Sequence, residues 1–144
     1  MMLDRSRSGV ISAELWYLWI WGSLLMLLAI GSLIVNPDFG VGAHVSHDRM
    51  FGVFETNGWH GLVGGLAGVA ALLSAWTRHR VREVALGVAL VAGIGAAAIF
   101  VVSGDGSAAL GLIPVDLADA ITLHLSPGIL GLACVTFDMR ADTR

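Results

Sequence analysis

Two histidines, His60 and His124, stand just inside the starts of the second and fourth of four long apolar stretches, and each is followed four residues later by a glycine, Gly64 and Gly128. An imidazole can hydrogen-bond, ligate a metal or carry a proton near neutral pH. A glycine one helical turn further along leaves the same face bare. Four chemistries are open to such a pair. Each ring could hydrogen-bond a neighbouring helix or an outer acid such as Asp119 or Glu55. Both could hold a haem iron axially, with the glycines making room for the ring. They could bind a divalent metal such as zinc or copper, with His44, His47 or an acid completing the shell. They could belong to a proton or solute pathway, although such a path normally carries more ionisable groups at mid-membrane depth than this chain has.

Other residues bear on the same layer. Pro127 cannot donate a helical hydrogen bond and frees the carbonyl of Leu123 beside His124, so local opening of that helix is expected. Trp59 adjoins His60, where an interfacial role is expected ahead of ligand stacking. Cys134 is the lone cysteine, so no disulfide forms within the chain. With Asp138 as its nearest ionisable neighbour in sequence it reads as a small buried hydrophobe rather than an activated thiol.

The elements that position these residues follow from composition. The chain has 144 residues, 56% of them hydrophobic and 13% charged, and a mean hydropathy of +0.81. This excludes the soluble globular class and points to an integral membrane protein. Four segments reach the roughly 20 apolar residues that span a bilayer: 13–35, 57–76, 84–102 and 117–137. Apolar runs of that length without β-type alternation satisfy their backbone amides in lipid only as helices. The expected architecture is a single all-α domain, a four-helix transmembrane bundle.

Arginine placement predicts the orientation, because cytoplasmic flanks carry the excess of basic residues. The chain has no lysine and eight arginines. Arg5 and Arg7 precede the first span, Arg78, Arg80 and Arg82 fill the Thr77 to Glu83 link, and Arg140 and Arg144 follow the fourth. Only Arg49 falls in the other two links, which hold Asp38, Asp48, Glu55, Asp105 and Asp116. Both termini are therefore expected in the cytoplasm, at the plasma membrane. A net charge of −3 and this distribution offer no surface for nucleic acid.

The first span is expected to be an uncleaved anchor, since its apolar run is too long for a signal peptide. Ser12 is placed to cap it, with Glu14 in the first turn. Trp16, Tyr17 and Trp19 crowd its cytoplasmic start. Trp59 and Trp76, about 26 Å apart on a helix, suit opposite interfaces.

Nineteen glycines require close helix packing to offset their poor helix propensity. Gly61 and Gly65, then Gly64 and Gly68, make overlapping G-x-x-x-G spacings, and Ala85, Ala89, Gly93 and Ala97 make a small-residue stripe. These faces suit packing within the bundle, contact with another copy or a larger membrane complex, or room for a flat cofactor. The two His-x-x-x-Gly elements are the one sign of an internal repeat, and the halves otherwise barely match.

In the outer links, Asn36-Pro37-Asp38-Phe39-Gly40 reads as a turn. A short interfacial helix is expected through Met50, Phe51 and Phe54. Asp116 and Asp119 are placed to serve the start of the fourth helix.

The run Phe51-Gly52-Val53-Phe54-Glu55-Thr56-Asn57-Gly58-Trp59-His60, the Asn36 to Phe39 turn, and Ile113-Pro114-Val115-Asp116 leading through Asp119 to His124 resemble a family of small bacterial four-span membrane proteins, that of domain of unknown function 4383. The resemblance runs from about Ala13 to Phe137. It implies a four-helix membrane fold without an assigned activity. In the family pattern the Asn-x-x-His element is followed by an asparagine and a second histidine one turn on, where this chain has Gly61 and Gly64. That departure argues against a metal or haem site built on the second helix. The Arg-for-Lys and Ala/Gly/Val bias suits a high-GC bacterial genome. The reading that results is a non-enzymatic accessory or structural membrane component, with haem or metal binding at His60 and His124 as the alternative.

Overall fold

The structure, a computed structural model, describes residues 12–102, 112–114 and 120–142. Helix α1 (Ala13–Val35) leads through a single 3-10 turn (Gly42–His44) to strands β1 (Asp48–Met50) and β2 (Phe54–Thr56). Helices α2 (Gly58–Thr77) and α3 (Val81–Val102) follow. A π-helical turn (Ala120–Leu125) then runs directly into helix α4 (Ser126–Asp142). Three helical stretches, Ala13–Val35, Gly58–Thr77 and Ala120–Ala141, are long and apolar enough to cross a membrane. The chain is a mostly helical membrane protein in which α1 packs chiefly on α2, and α3 chiefly on α4.

The all-helical expectation needs one correction. Where an interfacial helix was expected through Met50, Phe51 and Phe54, the chain forms an antiparallel hairpin pairing Asp48 with Thr56, Arg49 with Glu55 and Met50 with Phe54. Its turn explains why: Phe51 and Gly52 both take left-handed backbone, with φ of 54° and 71°, a conformation no right-handed helix can include. The pairing sends the Met50 side chain inward and leaves Phe51 exposed at the tip.

Helix starts follow local chemistry. The Ser12 hydroxyl accepts from the Leu15 amide, capping α1. The Asn57 side chain does the same for α2 through the His60 amide. Between α2 and α3 only residues 78–80 are non-helical, and Arg78 and Arg80 adopt left-handed backbone while Ser74 Oγ donates to the His79 carbonyl. The capping expected of Asp116 and Asp119, and the position of Asp105, lie outside the described residues.

The glycine faces are used within the chain. A β-carbon on Gly61 would meet the Ala29 carbonyl at 3.1 Å, and one on Gly68 the Gly22 carbonyl at 3.1 Å, so α1 and α2 approach backbone to backbone. Ala85 and Ala89 are fully buried, and Gly128 of α4 lies against Ala89 and Gly93.

Packing is tightest at the end of the molecule where α1 begins. Leu15, Tyr17 and Leu18 meet Ala71 and Ala75 of α2, Ala85 of α3 and Val135 of α4. The same end is tied by polar groups. Arg82 Nε donates to Glu14 Oε1 at 2.7 Å, and the Glu14 amide donates to Asp138 Oδ2 at 2.9 Å. The start of α1, the start of α3 and the end of α4 therefore share one face.

Candidate functional site: a histidine pair at an interhelical cavity

His60 is positioned by an interlock of the two loop motifs. The Asn36 side chain accepts from the Asp38 amide and donates to Ser46 Oγ and the Thr56 carbonyl. The Asp38 carbonyl in turn accepts from the Gly58 amide at 2.7 Å. Phe39 stands edge-on to Trp59 with centroids 5.2 Å apart, and Trp59 Nε1 donates to the Phe39 carbonyl. Residue 58 must be glycine for this contact: a β-carbon there would lie 2.6 Å from the Phe39 ring. Asn57, completely buried, caps α2 at the His60 amide and donates from Nδ2 to the Leu112 carbonyl at 2.6 Å. One side chain thus fixes both the start of the His60 helix and the segment leading toward His124.

His124 sits in the π-helical turn. With Pro127 supplying no amide hydrogen, the ladder widens over Ala120–Leu125, as the sequence led one to expect. Ser126 Oγ donates to the Ile121 carbonyl and Tyr17 Oη to the Pro127 carbonyl, at 2.8 and 3.1 Å. The glycine that makes room for the ring is on another helix. A β-carbon on Gly95 of α3 would come within 2.6 Å of His124 Nδ1. Gly128, one turn along from His124, packs on the α3 backbone instead, and Gly64 faces open space with nothing nearer than 4.0 Å. The two His-x-x-x-Gly elements are therefore not equivalent.

The structure brings His60 and His124 together. Their rings stack with centroids 5.9 Å apart and planes 15° from parallel. His60 Nδ1 and His124 Nε2 are buried and have no hydrogen-bond partner among the described residues. The hydrogen bonds expected from the rings are thus not made by these two nitrogens. Glu55 turns its carboxylate to His47 Nδ1 and Arg49 Nη2 instead, at 3.2 and 3.3 Å. An unpaired buried polar atom costs about 1–3 kcal/mol, so two in one place need a reason.

Both rings line a cavity of about 320 Å³ between the helices. Its wall is apolar apart from the histidines, Glu55 and the Ser32 and Thr56 hydroxyls, and Thr56 Oγ1 is committed to Ser32 Oγ. Met50 and Thr56 of the hairpin, both almost fully buried, close the end nearest the histidines.

His44 and His47 do not join the pair. His44 is exposed on the 3-10 turn, and His47 is held on the hairpin by Glu55. Among the described residues no group of three or more His, Cys, Asp or Glu side chains converges. The cavity, about 320 Å³, lies at the small end of the roughly 300–1,000 Å³ range of ligand pockets. Sequence reasoning missed Asn57 and Gly95. Asn57 was detectable as a cap residue three before His60, whereas nothing local marks Gly95.

Apolar helices packed around a buried imidazole pair and a cavity define a mostly helical membrane protein of unassigned activity. Residues 15–137 match the family described as Domain of unknown function (DUF4383), and the chain belongs to that family. No curated protein and no solved structure matches it.

Proposed function

We propose that the chain crosses the bacterial plasma membrane four times, with α3 as the remaining span and both termini in the cytoplasm, and serves as a non-enzymatic accessory component that holds a small ligand on His60 and His124. One observation carries the binding role: two adjacent buried imidazoles each leave a nitrogen unpaired at the wall of an apolar cavity. Binding is favoured over catalysis because the rest of the described wall is almost entirely apolar, and the one carboxylate on it, that of Glu55, is paired with His47 and Arg49. The topology is supported by seven of the eight arginines falling on one side, and by the polar ties that join Glu14, Arg82 and Asp138 at one end.

The test is solvent extraction with mass spectrometry, together with an absorption spectrum and metal analysis, on protein purified in mild detergent. A molecule or ion present at about one per chain and lost from the His60→Ala, His124→Ala double variant is expected. Identical contents in parent and double variant would refute the binding role. For orientation, in a Cys134→Ser background, Val53→Cys should react with a membrane-impermeant maleimide on intact cells and His79→Cys should not; the reverse pattern would invert the topology.

A further inference from the structure

The shape of the cavity narrows the ligand. It is lined along α1 from Trp21 to Ser32, a length of about 16 Å at 1.5 Å rise per residue. Dividing the 320 Å³ volume by that length leaves a mean cross-section of about 20 Å², the girth of a single hydrocarbon chain. The polar side chains, Trp21 apart, gather at one end. His60, His124, Ser32, Glu55 and Thr56 lie near the hairpin, with Glu55 paired to His47 and Arg49, while Trp21, Leu25, Ala67 and Val88 line the rest.

The cavity also has a direction of access. Lining residues that are themselves exposed, Val63 and Ala70 on α2 and Gly87 and Val91 on α3, flank the seam between those helices, which pack only lightly on each other. The opposite wall is the close α1 and α2 interface, and the hairpin end is closed by Met50 and Thr56. Exposed apolar side chains along a transmembrane seam face lipid, so a ligand enters sideways from the bilayer and needs no aqueous route.

We propose that the cavity binds a single-chain amphiphile of about a dozen heavy atoms with an uncharged hydroxyl or carbonyl head, the head hydrogen-bonded to His60 Nδ1 and His124 Nε2 and the tail extending toward Trp21. The size follows by scale: a cavity of about 150 Å³ holds benzene, so one of 320 Å³ holds roughly twice as many atoms. An uncharged head suits the site because a hydroxyl both donates and accepts, matching a neutral imidazole in either tautomer, while a carbonyl accepts where the facing nitrogen carries the proton, and because a charge moved into this apolar wall would lose its hydration. This rests on the binding role proposed above and adds the chemical class.

Trp21 supplies the reporter. Full-length protein in phospholipid nanodiscs is titrated with 11-bromoundecan-1-ol, with 1-bromoundecane, which lacks the head, and with 11-bromoundecanoic acid. Bromine quenches a tryptophan it touches, and the component lost in Trp21→Phe isolates the cavity. The alcohol is expected to quench Trp21 at a membrane mole fraction at least ten-fold below that of the other two probes. His60→Leu and His124→Leu should each abolish that preference. Gly64→Leu should abolish the quenching itself, since its β-carbon meets no neighbour within less than 4.0 Å and its side chain fills the space. Gly87→Leu at the seam, where a β-carbon also meets nothing, should slow its onset. Equal quenching by alcohol and bromoalkane, preference for the acid, or quenching that survives Gly64→Leu would each overturn the proposal. If the alcohol shows no preference while zinc or copper is retained by the histidine pair, the ligand class falls and the binding role stands. If the pair retains nothing at all, both fall.

Discussion

Gly95 on α3 lies directly against the His124 ring, so close that a β-carbon there would come within 2.6 Å of Nδ1 and 3.3 Å of Cγ. Because Cγ is the root of the ring and not its tip, a simple rotation does not relieve the contact, and the imidazole as a whole must move away from α3. The position of the histidine pair is thus held from the third helix, which contributes no ionisable group to it.

Gly95→Ala should therefore destabilise the protein. Overpacking costs about 1–3 kcal/mol, set against up to about 1 kcal/mol gained from helix propensity. Gly87→Ala, on the same helix with open space around it, should have only the gain. Thermal unfolding in detergent should rank Gly87→Ala at or above the parent and Gly95→Ala below it; equal shifts would contradict the contact.

Asn57→Ala removes a helix cap worth about 1 kcal/mol and strands the Leu112 carbonyl at a further 1–3 kcal/mol or so. Asn57→Ser keeps a cap acceptor and loses the donor to Leu112. The expected order of melting temperature is parent, then Asn57→Ser, then Asn57→Ala. An Asn57→Ala protein as stable as the parent would show that the interlock is not structural.

Asp138→Ala should loosen the end where α1 begins, because the Glu14 amide loses the carboxylate that accepts from it. A loss of about 1–2 kcal/mol is expected, as for other helix caps, and Asp138→Asn, which retains an acceptor oxygen, should recover most of it. The neighbouring Arg82 to Glu14 pair is partly exposed on the arginine side, so Arg82→Gln should cost less. Hydrogen exchange at the first turn of α1 would read these differences directly.

Gly52→Val forces a β-branched residue into left-handed backbone in the hairpin turn, at a cost of roughly 1–3 kcal/mol. Since the hairpin closes one end of the cavity, this variant should also raise the accessibility of Met50, now 3% exposed, to a mild oxidant. Unchanged Met50 oxidation would mean that the turn does not hold the hairpin shut.

Much of the frame was legible in the sequence because it is local. Helices α1, α2 and α3 follow from uninterrupted apolar runs, the Ser12 cap from residue type, and the widened turn at His124 from Pro127. The hairpin was not legible: Met50, Phe51 and Phe54 fit a helical spacing as readily as a strand pair, and only the left-handed backbone of Phe51 and Gly52 decides between them. Spacing also suggested that Gly64 and Gly128 play matching roles beside their histidines, which they do not.

What the sequence determined by itself was a hydrophobic, arginine-polarised chain of helices carrying one histidine near the start of each of two spans, since hydropathy, charge and capping act over a few residues. Only the tertiary structure decided that the two rings stack, that Gly95 and not Gly128 makes room for one of them, and that they border a narrow cavity. Those features depend on how α2, α3 and α4 meet, and contacts between residues 29 to 64 positions apart leave no local signature in the chain.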